Sequence, residues 1–182
     1  MSTEAFPTVR PAAPLHPASA PPRWAVRAAR LAAVCVLPSS LWRTALALGV
    51  PLGYTAEVLR DRFHAPGQGT VLMLGLSLLA ETVTLLTVGL VRPWGETVPR
   101  RLPVIGGRAV RPAVVTAVAG TGAALLTLIF TVLPAVQLLA GAQSGMGLHG
   151  FWLLLMRLCY APLIAWGPLT AAVVISYHRR HR

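Results

Sequence analysis

The chain has 182 residues, 55% of them hydrophobic and 12% charged, with a formal net charge of +11. A mean hydropathy of +0.65 excludes an ordinary soluble domain, and the length leaves room for only a few membrane spans. In a soluble protein this charge would point to nucleic acid; here the arginines flank apolar stretches, so topology explains them and no nucleic-acid partner is expected. All sixteen basic residues are arginine, with no lysine and no asparagine in the chain, a bias of GC-rich coding that says nothing of function.

Residues 1–22 are rich in Pro, Ala and Ser and lack apolar periodicity, which predicts a disordered, partly polyproline-like tail. The rival reading, a cleaved signal peptide, is disfavoured by the long polar lead and by the absence of a clear small-x-small site. The remainder, residues 23–182, reads as one all-α membrane domain, a bundle of four transmembrane helices.

The first span is expected over residues 31–54. It carries Pro38, Pro51 and the central Arg43, so a kinked crossing is expected. The next link holds Glu57 and Asp61 against Arg60 and Arg62 and closes on a Pro66-Gly67 turn. The second span, residues 71–91, is the clearest: its twenty-one residues reach ~31 Å at helical rise, and only Glu81 interrupts the apolar run. Residues 92–112 follow, where five arginines stand against one glutamate, and four prolines and three glycines forbid a continuous helix. The third span runs from about 113 to 140 with a kink at Pro134. The fourth, residues 151–177, lies between an arginine-free loop and the terminal HRRHR.

Charge then orients the bundle. The tail, the 92–112 loop and the C-terminus hold three, five and three nearby arginines, while the other two loops hold two and none. The positive-inside rule predicts both termini and the 92–112 loop in the cytoplasm, N-in and C-in, in a bacterial cytoplasmic membrane. Trp24, Trp94, Trp152 and Tyr54 fall at expected boundaries, where amphipathic rings prefer to lie.

Two ionisable residues of opposite sign fall near mid-membrane. Counting from the expected inner ends, Arg43 and Glu81 lie within ~3 Å of the same depth, and an unpaired charge there costs at least ~2.5 to 3.5 kcal/mol on insertion scales. An Arg43–Glu81 ion pair is therefore expected, bordered by a polar patch of Ser39, Ser40, Ser77 and Thr84. Such a pair fixes which helix packs on which, or serves an ion or proton pathway. Arg157 is expected to snorkel outward or to meet Glu57 or Asp61.

The loop residues Arg92, Trp94, Arg100, Arg101, Arg108 and Arg111 suit anionic lipid headgroups or a docking partner, each surface arginine adding ~1 kcal/mol to headgroup attraction. Gly49 and Gly53 form a weak GxxxG. Thr116, Gly120, Ala124, Thr127 and Thr131 form a small-residue face of the third span, expected to face the bundle. The chain has no HExxH, GxSxG, Walker or CxxC motif, so neither an enzyme nor a cofactor is expected. Cys35 and Cys159 read as small buried apolar residues at depths too different for a disulfide. His64 and His149 lack a third ligand at a sensible spacing, so no metal site is expected.

The run GLVRPWGETVPRRLPVIGGRAVRP, with the preceding Glu-bearing span and LPSSLWRTALALGVPLGY, resembles small four-span membrane proteins of high-GC actinobacteria. That resemblance covers most of the chain after residue 23 and implies location and topology, without an activity. A fainter likeness to the DoxX-like four-helix family rests on the Glu of span two followed by Gly89 and Arg92, and that family's redox associations are not carried over. The expected role is that of an accessory or interaction subunit, with a membrane-protein partner or a homo-oligomer. The alternative is a small transporter or channel using Glu81 and Arg43, and a membrane enzyme comes third.

Overall fold

A computed structural model describes residues 20–92, 112–140 and 147–181, all helix, turn or coil with no strand among them. Seven helices follow in order: α1 Arg23–Ala47, α2 Ala56–Asp61, α3 Gln68–Gly89, α4 Pro112–Thr127, α5 Leu133–Leu139, α6 Gly150–Tyr160 and α7 Leu163–Arg180, with a π-helical turn Leu128–Val132 joining α4 to α5. They make four segments long and apolar enough to cross a membrane: Arg23–Ala47, Gln68–Gly89, Ala113–Leu139 and Gly150–Arg180. Leucines such as Leu41, Leu72 and Leu78 stand exposed on their outer faces, an arrangement costly in water and natural against lipid chains. The expected tail, the turns of residues 93–111, and with them Trp94, Arg100, Arg101, Arg108 and Arg111, lie outside the described residues.

The helix of the first candidate span starts at Arg23, eight residues before the expected span. Arg23, Arg27 and Arg30 are helical and exposed, because Ala25, Ala28, Ala29 and Ala32 on the same turns give α1 a flat buried face and long arginine stems can carry their charge outward. It also ends earlier, at Ala47. Gly49 turns the chain at φ +87°, and Pro51 holds Val50 out of helical conformation.

Three clusters stack along the bundle. One joins Ala25, Ala28 and Ala29 to Val91 and Val173 on the side of the chain termini. A middle one packs Ala32 and Val36 with Ala80, Leu163 and Trp166. The third, on the far side, gathers Trp42, Leu46, Tyr54, Met73, Leu148 and Met156. There Phe63 meets the Tyr54 ring edge-on at 5.0 Å, and the Tyr54 hydroxyl donates to the Met156 sulfur at 3.7 Å. Tyr54 is thus buried in a cap, not laid at the interface as its boundary position suggests, and burial raises its phenol above the usual tyrosine range. Trp24 and Trp152 do stand exposed near helix ends.

In cross-section the long helices form an open row, with α3 on α1, α1 on α7 and α7 on α4. Prolines shape the last two contacts. Pro168, inside α7, has no N–H to give the carbonyl of Ile164, four residues back; the Thr131 hydroxyl donates to that carbonyl instead, at 2.7 Å. Pro134 likewise cannot serve Phe130, and the helix widens upstream into the π turn, with the Leu133 N–H reaching the Leu128 carbonyl. Ala161-Pro162 interrupts the fourth span, dividing it into α6 and α7.

Close approach of α4 and α7 rests on Gly167, where a Cβ would stand 2.5 Å from the Thr127 backbone. Thr127 and Thr131 therefore do face the bundle, while Ala124 of the same expected face is exposed. Gly167→Ala is expected to push the helices apart and lower stability by about 1–3 kcal/mol, read as a drop in melting temperature of the detergent-solubilised protein. An unchanged melting temperature would mean that this crossing is not tight.

Candidate functional site

The polar centre lies where α1, α3 and the end of α6 meet. Ser40 and Arg43 are one turn apart on α1 and so share a face. Arg43 extends along that face, its Nε donating to Ser77 Oγ of α3 at 3.2 Å and its Nη2 to Ser40 Oγ at 3.4 Å. Tyr160, the last residue of α6, lies close enough to the same guanidinium for the two to interact electrostatically. Hydroxyls thus take up a cation that carries five N–H donors and no acceptor.

The expected Arg43–Glu81 pair is not formed. Among the described residues no ion pair or hydrogen bond joins the two, and the reason is register. The hydrogen bond from Arg43 to Ser77 sets these two residues level, with Glu81 four residues further along α3. Met73 packs in the cluster of Trp42 and Leu46, whereas Ala80 packs in that of Ala32 and Val36. Glu81 is therefore nearer the level of Val36, one turn beyond Ser77. It is half-buried and lines a groove of about 950 Å³ together with Ser40, Ser77 and Cys159.

The expected patch divides in the same way. Ser40 and Ser77 join Arg43. Ser39 is fully buried but turns back on its own helix, donating to the Val36 carbonyl at 2.9 Å. Thr84, two turns past Ser77, is buried with its hydroxyl unpartnered. Tyr160 was not singled out from the sequence, although a phenol directly before an Ala-Pro break in an apolar span was the available signal.

Elsewhere, Arg92 is exposed just past the end of α3, and Arg157 is exposed on α6. Cys35 and Cys159 are free thiols. Among the described residues no three His, Cys, Asp or Glu side chains come together as a metal site; His64 and His149 are both exposed. The chemistry within reach of this centre is charge stabilisation by a fixed cation and hydroxyls beside a carboxylate-bearing groove. Comparison with protein-family models, curated proteins and solved structures finds no match to this chain.

A double-mutant cycle separates the two partnerships. Arg43→Ala and Ser77→Ala are expected to couple by about 1.5 kcal/mol in detergent unfolding, as for a hydrogen bond to a charged group. Arg43→Ala and Glu81→Ala are expected to add within ~0.5 kcal/mol. Strong coupling to Glu81 instead would restore the ion pair.

Proposed function

We propose that this is a non-enzymatic accessory subunit of a bacterial cytoplasmic membrane that binds another membrane protein along its third span. One observation carries the reading. Within the most apolar eighteen residues of each span, 39%, 28% and 33% of the first, second and fourth are buried, but only 6% of the third. A helix held by one neighbour presents the rest of its circumference to the membrane. In lipid, where no hydrophobic force drives helices together, small side chains that allow close backbone approach favour association; Ala117, Thr121 and Ala124 are such residues on the exposed side of α4. The positive-inside count supports cytoplasmic termini and a cytoplasmic 92–112 loop, whose arginines suit anionic headgroups or the partner's own cytoplasmic surface.

The test is purification of the tagged chain from its native membrane in a mild detergent, with composition and stoichiometry by mass spectrometry. A stoichiometric partner is expected, and Ala124→Trp is expected to release it without changing the protein's own melting temperature. A complex indifferent to Ala124→Trp, or a monomer alone, would overturn the assignment; a complex of two copies released by that change would make the partner a second copy.

A second reading has its own observation. The Glu81 carboxylate lies in a groove beside the Ser40 and Ser77 hydroxyls, a setting suited to carrying a proton or cation. Under that reading proteoliposomes show proton or cation flux that Glu81→Gln abolishes. Absence of wild-type flux would dismiss it.

A further inference from the structure

Between α3 and α4, on the side of the chain termini, lies a second cavity of about 470 Å³, almost wholly apolar, with Leu86, Leu90, Val118, Gly122 and Leu126 on its walls and Thr170 of α7 among its lining. That volume lies within the usual range of ligand sites. It exists because α3 packs on α1 and α4 on α7, leaving the ends of the row unjoined.

Thr170 is the informative residue. Thr82, Thr87 and Thr127 each donate to the carbonyl four residues back on their own helices, the ordinary way for a helical threonine to satisfy its hydroxyl in an apolar setting. Thr170 does not: it is 4% exposed, and its Oγ1 has no partner. A buried donor left unmade costs free energy that an acceptor in the cavity would recover. At the mouth stand two cations. Arg180 donates from Nη2 to the carbonyl of Leu90, a wall residue, at 2.8 Å, and its buried Nε is unpartnered; Arg92 is exposed two residues beyond Leu90.

We propose that the cleft is a binding site for an anionic phospholipid. One acyl chain fills the space between α3 and α4, an ester carbonyl accepts from Thr170 Oγ1, and the headgroup phosphate sits against Arg92 and Arg180. A phospholipid offers an apolar chain, ester acceptors and an anion in that order along its length. A transmembrane helix offers no free backbone acceptor to Thr170, because its own carbonyls are already bonded. The site stands whether or not the third span has a partner.

The full chain, delipidated in mild detergent, is titrated with phosphatidylglycerol or with phosphatidylcholine of identical chains and followed by native mass spectrometry and thermal melting. Phosphatidylglycerol is expected to bind at one copy and to raise the melting temperature more than phosphatidylcholine. Arg92→Gln is expected to weaken its binding about fivefold. Gly122→Leu, whose Cβ would meet nothing within 4 Å, is expected to fill the cleft and abolish binding while the lipid-free protein still melts normally. Thr170→Val is expected to raise lipid-free stability yet shrink the lipid-induced gain, which a purely structural threonine would not do. Equal binding of the two lipids, or phosphatidylglycerol binding untouched by Arg92→Gln and Thr170→Val, would overturn the proposal even if Gly122→Leu misfolded.

Discussion

Everything in this fold answers to one constraint: within hydrocarbon, a backbone carbonyl without a donor costs several kcal/mol. Prolines at 134, 162 and 168 lie in the third and fourth spans, and each removes a donor. The hydrogen bond from Thr131 to the Ile164 carbonyl repairs the defect that Pro168 creates, and repairs it from another helix. A local fault in α7 thereby becomes a reason for α4 to stand where it does, with Gly167 cleared of side chain to let it approach. The π turn, of which Thr131 is a part, belongs to the same solution, since it shifts the face of the third span just where the repair is made.

Charge is handled by a similar economy. Arg43 is held in the far half of the bundle by the hydroxyls of Ser40 and Ser77, and no carboxylate among the described residues is spent on it. Neutral partners leave the formal charge in place, so the site keeps a field that an ion pair would largely cancel. Glu81 lies one turn further along α3, in the groove that Ser40 and Ser77 also line.

Much of this was legible in the sequence, and the failures have identifiable causes. Four helices of spanning length follow from length and hydropathy, and turns rich in Pro and Gly bound the second and third. Arg23, Arg27 and Arg30 read as charges flanking the first helix, yet they lie within it; that alanines on the same turns build a packing face is a tertiary fact. The Arg43–Glu81 depth match counted from assumed inner ends of two helices, and such a count is easily a turn out: the partner that Arg43 reaches is Ser77, four residues before Glu81. Ser40 and Ser77 were recognised as neighbours of the charge, since helical spacing alone brings them to the right faces. Tyr160, and the cleft with its unpartnered Thr170, depend on which helices touch across more than a hundred residues of chain, and no local pattern encodes that.

The interruption at Ala161-Pro162 has a mechanical side. Residues of α6 belong to the far cluster, with Tyr54 and Met73, while α7 begins in the middle cluster and ends in the one near the termini. A continuous helix would transmit a tilt imposed in one leaflet rigidly to the other. Two rods in series share the fourth span instead, each seated by its own neighbours: α6 by the far cluster, α7 by α1 and α4.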